Sequence, residues 1–441
     1  MSCPKLRLLL EEISHDMGNA PDSLNSLASL PLPAELAREL CHLPGFVFLD
    51  SSAAEASQES SDGSLYSIIT ACPKTTYRGN LFNQREREFL QCAYHSQLRS
   101  DKITPDIGFP TAGFYGTISY EGDFLFGEYH DCLIYDHRHD QWTEIGSLSD
   151  SRIRKEEDTS SSNIKSLNFT SNVEKERFCE MVDTAQEYIA AGHIYQVNLS
   201  HRFSAPRPLS FDAFEFHERL REQSPAPFAG FLSLGDHEVI SSSPEQFLNM
   251  SGRHIQTRPI KGTRPRFRNR EEDEKSAYDL ITSPKEIAEL VMITDLERND
   301  FGQICEYGSV EATELLKLER FAQVFHLVST VEGTLRPEVD HIDALLACYP
   351  GGSITGAPKK RAREIIAELE SAPRGLYTGA IGCLGFNGES RFNIAIRTAI
   401  ADENSIHFNV GAGIVADSDP VMEWEETLHK AAGIFQACGG S

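Results

Sequence analysis

The sequence predicts an α+β fold with mixed or antiparallel sheets, and three features point there. After residue 170, segments with apolar positions at helical spacing (about 172–191, 211–223, 284–298, 358–370 and 420–436) alternate with short β-rich runs. Several of those runs follow one another through short polar turns, NGE at 387–389 and ADENS at 401–405. A doubly wound parallel sheet needs helical crossovers between its strands, so hairpin-like succession argues against one. Before residue 150, FVFLD (46–50), YSIIT (66–70) and HDCLIYDH (130–137) are short, β-rich and separated by Gly, Pro and Asp signals.

The stretch SLSDSRIRKEEDTSSSNIKSLNFT (147–170) is poor in apolar residues and reads as a solvated connection. The chain therefore divides into an N-terminal region (1–150), the connection (151–170) and a larger C-terminal region (171–441). A second polar stretch, Ser51 to Ser64, reads as a surface loop. In the larger region the strand candidates are EVISSS (238–243), HIQTRPIKG (254–262), LYTGAIGCLGF (376–386), ESRFNIAIRTAI (389–400) and SIHFNVGAG (405–413). No internal repeat is visible.

A chain of 441 residues with 40% hydrophobic and 24% charged composition can bury a large core. Lys plus Arg total 41 against 66 Asp plus Glu, a formal charge of −25. That balance disfavours nucleic acid and anionic membrane surfaces as partners. A small anionic substrate would need local cations, a metal ion or aimed N–H groups to hold it against the field. The N-terminal run MSCPKLRLLLEEISHDM is broken by Glu11 and Glu12, too short for a signal sequence, and no stretch reaches membrane-spanning length. Cytoplasm is the expected compartment. The ten cysteines are scattered without a C-x-x-C pair, which suits reduced thiols better than disulfides or zinc.

Ser283-Pro284 has the form of a helix start, and Glu286 and Glu289 then fall three apart on one helix face. After Asp417 the device repeats, with Glu423, Glu426 and Lys430 at i, i+3 and i+7. Two such helices could converge on a hard cation, since Mg2+ takes carboxylate oxygens; a solvated face, or a plain Glu426–Lys430 ion pair, explains the same spacing. Lys261 stands before Gly262, where a backbone kink could aim its amine into a cleft; Glu245 follows Pro244 and could serve as a general acid if desolvated. A surface charge is the alternative at each position.

The loop YPGGSITGAPKK leads into a basic helix whose N–H groups could bind an anion, without being a Walker A loop. Gly411 and Gly413 (NVGAG) suit a weak dinucleotide signal or a close backbone approach to a carboxylate. Gly382-Cys383-Leu384-Gly385 looks like a glutaminase nucleophile turn but lacks the His-Gln that should follow, so Cys383 reads as an ordinary strand residue.

Taken together, YQVNLSHRF (195–203), SSSPEQF (241–247), RPIKGT (258–263), LERNDFG (296–302), HLVSTVEG (326–333), PGGSITGAPK (350–359), IAIRT (394–398) and GAGIVADSDP (411–420) closely resemble the chorismate-utilising enzymes. That family includes component I of anthranilate synthase and of aminodeoxychorismate synthase, isochorismate synthase and salicylate synthase. LPGFVFLDS and FYGTISYEGD resemble its first region more loosely. At Lys261 the chain is similar to the aminodeoxychorismate synthases, which carry PIKGT, rather than to anthranilate synthases, which look like PIAGT.

The resemblance implies two large, face-packed, mostly antiparallel sheets flanked by helices, a four-layer α/β/β/α arrangement with the active site in the cleft. It implies Mg2+ held by Glu289 and Glu426, with Glu286 and Glu423 holding metal-bound waters or completing the shell, and bound to the ring carboxylate of chorismate. It implies Tyr377, Arg397, the Gly411-Ala412-Gly413 backbone and Lys430 on the substrate carboxylates, with Thr355 and His326 as further pocket positions. The expected reaction is amination of chorismate at C4, with Glu245 as acid and Lys261 as covalent nucleophile. Ammonia would come from a separate glutaminase subunit and the product, 4-amino-4-deoxychorismate, would feed p-aminobenzoate and folate synthesis. The alternatives are anthranilate synthase component I and a catalytically inactive regulatory homologue. In some relatives the N-terminal region binds tryptophan, a question the loop at 51–64 leaves open.

Overall fold

The computed structural model describes residues 27, 30–51, 66–98, 108–153, 166–321 and 323–439. The whole N-terminal run 1–17, residues 52–64 of the polar loop and residues 154–165 of the connection lie outside them.

Two sheets carry the chain. The first runs in the order β17 (Gly356–Ala357), β9 (Gln196–Pro206), β21 (Ser405–Ile414), β20 (Thr398–Ala401), β11 (Glu238–Ser243), β10 (Phe228–Ser233), β1 (Val47–Asp50), β2 (Tyr66–Thr70), β6 (Cys132–Asp136) and β7 (Gln141–Ile145), with β8 (Thr170–Ser171) beside β9. The second runs β14 (Ile260–Pro265), β16 (Val324–Thr334), β13 (His254–Arg258), β12 (Gln246–Ser251), β19 (Glu389–Ile394), β18 (Ala380–Gly385), β4 (Gly113–Ile118), β5 (Asp123–Tyr129) and β3 (Thr75–Asn80), with β15 (Glu311–Arg320) on β16. Every strand pairing among the described residues is antiparallel, including the hairpins through 387–389 and 401–405. Strands from both sides of the polar connection enter both sheets.

Nine helices among the described residues cover the outer faces: α1 (Pro33–Leu40), α2 (Gln84–Leu98), α3 (Lys175–Ala190), α4 (Ala213–Gln223), α5 (Arg270–Ile281), α6 (Pro284–Gly302), α7 (His341–Cys348), α8 (Lys359–Leu369) and α9 (Pro420–Ala437). The layering follows from strand alternation. In the first sheet Phe48, Ile69, Leu133, Phe231, Ile240 and Phe408 face outward onto Leu36, Phe216, Leu220 and Ile434 of the helices. Their sequence neighbours Val47, Ile68, Leu232 and Val239 face inward and meet Tyr115, Ile381 and Cys383 of the second sheet. The second sheet in turn presents Phe114, Phe126, Leu384 and Phe392 to Leu90, Phe301 and Leu345 of α2, α6 and α7. Each such large side chain contributes about 1.5–3 kcal/mol on burial.

Two expected strands are divided. Pro259, which has no N–H to give a ladder, separates β13 from β14 within 254–262. The run 389–400 is cut at 395–397, and its halves lie in different sheets, so Arg397 rides the crossover, with φ +50°. No helix among the described residues is long and apolar enough to cross a membrane. The nine described cysteines are free thiols.

Candidate active site

The candidate residues gather where the inward faces of β9 and β21 turn polar. Val197, Leu199, Ala412 and Ile414 point outward to α3 and α8, so Gln196, Asn198, Ser200, Gly411 and Gly413 take the inner face. The Gly411 carbonyl accepts from Lys430 Nζ at 3.0 Å, so it points away from β9. In an antiparallel strand a residue's N–H lies on the same side as its C=O, so the Gly411 and Gly413 N–H groups also point away from β9. The pairing of β21 with β20 ends at Phe408, so residues 409–414 have no β20 partner on that edge. Side chains cannot replace these glycines without crowding. A Cβ on Gly411 would lie 2.7 Å from the Tyr377 hydroxyl, and one on Gly413 would lie 2.4 Å from Gln196 Nε2. Ala412 contributes backbone only, its methyl being packed on the helix side.

Lys261 reaches the same place from the second sheet. Gly262 adopts φ +72°, and the register against β16 slips between Lys261 and Thr263. This bulge turns the lysine towards Gly413, whose added Cβ would lie 3.8 Å from Nζ. Lys261 Nζ donates to the Ser353 carbonyl at 3.2 Å. The Ser353 hydroxyl donates to Glu245 Oε1 at 2.6 Å. One residue therefore ties the candidate nucleophile to the candidate acid. Burial pushes the Glu245 carboxyl above its ordinary pKa, against the Ser353 hydrogen bond and the charges of Lys261 and Lys430.

The acidic helices start as expected, with Ser283 capping α6; on α9 the cap is Asp419, two residues beyond Asp417. Glu289 is half-buried and makes no hydrogen bond or ion pair to another described residue. Desolvation raises its pKa against Lys261 and Lys285, while Glu286 and Glu426 push it the same way. Burial would raise Glu426 too, but Lys430, Lys261 and Lys285 bring it below the ordinary value. Its ion pair to Lys430 is 2.7 Å, so the plain i,i+4 pair does form. Glu423 accepts from Ser418 at 2.7 Å and lies 3.5 Å from Lys285; Glu286 lies 3.5 Å from Arg264. Among the described residues no three His, Cys, Asp or Glu side chains are grouped as a metal site. The donor set nevertheless fits a hard divalent cation: oxygen ligands only, one of them an unpartnered carboxylate that a cation would neutralise.

The remaining candidates line the walls. Arg397 has no carboxylate partner among the described residues, and burial alone lowers its pKa. Its left-handed backbone costs about 1–3 kcal/mol, strain of the kind that collects at functional sites. Tyr377 is buried against Arg374, which is paired with Glu370 at 2.7 Å. His326 lies 3.0 Å from Thr263 Oγ1, and burial with the Arg397 charge pulls it to about 4, so it is neutral at pH 7. Thr355 is buried and donates to the Gly351 carbonyl at 2.8 Å, a contact that shapes the loop rather than the cleft.

Three features escaped the sequence reading. Ser353 lay inside a quoted motif, but a lone serine carries no spacing signal. Lys285, beside Glu286, interacts with Glu423, Glu289 and Glu426. Lys359, in the basic helix start read as an anion site, instead pairs with Asp300 at 2.5 Å. Cys383 is a buried strand residue whose thiol burial pushes up to about 12. A separate cavity of about 640 Å3, lined by Arg78, Leu125, Asp236, His237, Leu376 and His407, holds none of the candidate residues. The converging charges, not that volume, mark the site.

A family model described as chorismate binding enzyme matches residues 48–436. Aminodeoxychorismate synthase component 1 of Bacillus subtilis is 36% identical over 86% of this chain and 90% of its own length. Anthranilate synthase component 1 of Geobacillus stearothermophilus is 44% identical over 61% of this chain and 52% of its own. The crystal structure of anthranilate synthase component I from Streptococcus pneumoniae superposes with a TM-score of 0.74 at 30% identity, covering 86% of this chain and 94% of that one.

Proposed function

The chain belongs to the chorismate-binding enzyme family, and on that premise we propose that it is the amination component of an aminodeoxychorismate synthase. Its substrate is chorismate, the substrate of the family. The observation that carries the finer reading is the Lys261–Ser353–Glu245 chain, a primary amine and a buried carboxyl held by one residue at 3.2 and 2.6 Å.

Glu245 gives its proton to the C4 hydroxyl, which leaves as water while the free amine of Lys261 attacks C2 and the ring double bonds shift. Ammonia then attacks C4, the double bonds shift back, and the C2–N bond breaks to release Lys261 as the amine. The new C4 ammonium returns a proton to Glu245, closing the cycle. Arg397, Lys430 and the Gly411 and Gly413 N–H groups hold the substrate carboxylates, and Tyr377 and neutral His326 complete the pocket. Glu289 and Glu426, with Glu286 and Glu423 beside them, would hold Mg2+, which supplies positive charge for the ring carboxylate when bound. A separate glutaminase subunit supplies ammonia in this reading.

The 44% identity of the Geobacillus relative over 61% of this chain favours anthranilate synthase as the second reading. Mass spectrometry of the products formed from chorismate, Mg2+ and ammonium separates the two. The proposal requires 4-amino-4-deoxychorismate that accumulates; anthranilate with pyruvate supports the second reading, and unconsumed chorismate excludes both.

A further inference from the structure

The loop that carries Ser353 is pressed onto α6 by a buried carboxyl that the reaction above does not use. Glu297 lies on the face of α6 that holds Glu289, two turns further on. Its Oε1 accepts the Gly352 N–H at 3.0 Å, one residue before Ser353. Its Oε2 is buried without a partner. The approach is close: a Cβ on Gly352 would sit 2.6 Å from Leu296 and 2.9 Å from Glu297 Oε1. The groups that face Glu297 are Asp300 on its own helix, Lys359 on α8, Glu245 in the turn before β12 and the Cys348 thiol at the end of α7. Lys359 is bonded to Asp300 and to the Cys348 carbonyl at 2.9 Å.

We propose that Glu297 is a positioning residue for the amination, clamping the Gly351–Ser353 loop to α6 so that Ser353 stands between Glu245 and Lys261. The inference rests on the reading of those two residues given above. Burial, and after it the Asp300 carboxylate, push the Glu297 pKa well above the ordinary carboxylate value, which favours the neutral acid in the clamp. Ionised, it would bury a second negative charge near Asp300 and Glu245. Water entering between helix and loop relieves that cost and frees Ser353.

The test compares the parent, Glu297→Gln and Glu297→Ala. Glutamine keeps the acceptor and cannot ionise. It should therefore keep the parent's kcat at pH 7 and shift the midpoint of the alkaline fall in kcat, because only the Glu245 acid is then left to titrate. Alanine removes the clamp and should lower kcat by about tenfold to a hundredfold, with the KM for chorismate little changed. An alkaline midpoint in Glu297→Gln identical to the parent's, or a parental kcat in a folded Glu297→Ala, overturns the proposal. If Glu297→Ala does not fold, the glutamine variant decides alone. Infrared spectra supply a readout without turnover: a protonated-carboxyl band that the parent loses as pH rises and that Glu297→Gln lacks. That band present in a protein that does not aminate chorismate would refute the reaction and leave Glu297 protonated; its absence at pH 7 would refute the clamp.

Discussion

Two ends of one inter-sheet layer behave differently. At the end formed by β1, β2, β10 and β18, the inward side chains are Val47, Ile68, Leu232 and Ile381, and the sheets close on each other. At the end formed by β9, β21 and β14 they are Gln196, Asn198, Gly411, Gly413 and Lys261, and the layer is polar rather than apolar. The outward faces stay apolar at both ends, through Phe231 and Ile240 at the first and Leu199 and Ala412 at the second. The helices are therefore held alike along the whole length, and only the inner residue of each alternating pair decides whether a stretch of sandwich is scaffold or site.

Substitutions should separate the two ends. The largest effect belongs to Lys261→Ala, which should abolish chorismate amination in steady-state assays while leaving thermal unfolding close to the parent's, since the side chain is only partly buried. Glu245→Gln removes a protonatable group whose pKa burial raises and should lower kcat by about a hundredfold to ten-thousandfold in the same assay. At the closed end the pattern inverts. Leu232→Ala should cost about 2–5 kcal/mol of stability by denaturant titration, with activity per folded molecule retained.

The smallest expected effect is a shared acid sensitivity. Burial pulls His201, His217, His326 and His407 to about 4, below the ordinary 6.5. Between those values the unfolded chain binds more protons than the fold, so stability rises with pH there and is lost as pH falls from 6.5 towards 4. His217, whose ring nitrogens are unpartnered among Phe48, Phe214 and Phe231, should give the clearest case. A melting temperature that falls less steeply with acid in His217→Phe would bear this out; an unchanged slope would contradict it.

The hairpins and the α6 and α9 carboxylates were legible because both follow from local spacing: polar turns between alternating runs, and glutamates three apart after a capping signal. What was not legible depends on tertiary context. The alternation from 389 to 400 continues unbroken through the crossover, so nothing local announces that Arg397 leaves one sheet for the other. Helix α2 went unread because charged and polar residues ring most of it, and only Leu90 and Tyr94 are buried. Ser353 gains its place from Glu245, 108 residues earlier, and Lys261, 92 residues earlier. The resemblance supplied roles for Tyr377, Arg397 and His326 that spacing alone could not.

The central claim is that the amine of Lys261, set opposite a protonatable Glu245, is a nucleophile. Intact-protein mass spectrometry after mixing with chorismate and Mg2+ without ammonia tests it most directly. The account requires a mass gain equal to chorismate less water, mapped to the peptide that contains Lys261 and missing from Lys261→Ala. Aminated product from a parent enzyme that never carries that mass, or from Lys261→Ala at the parental rate, would contradict it.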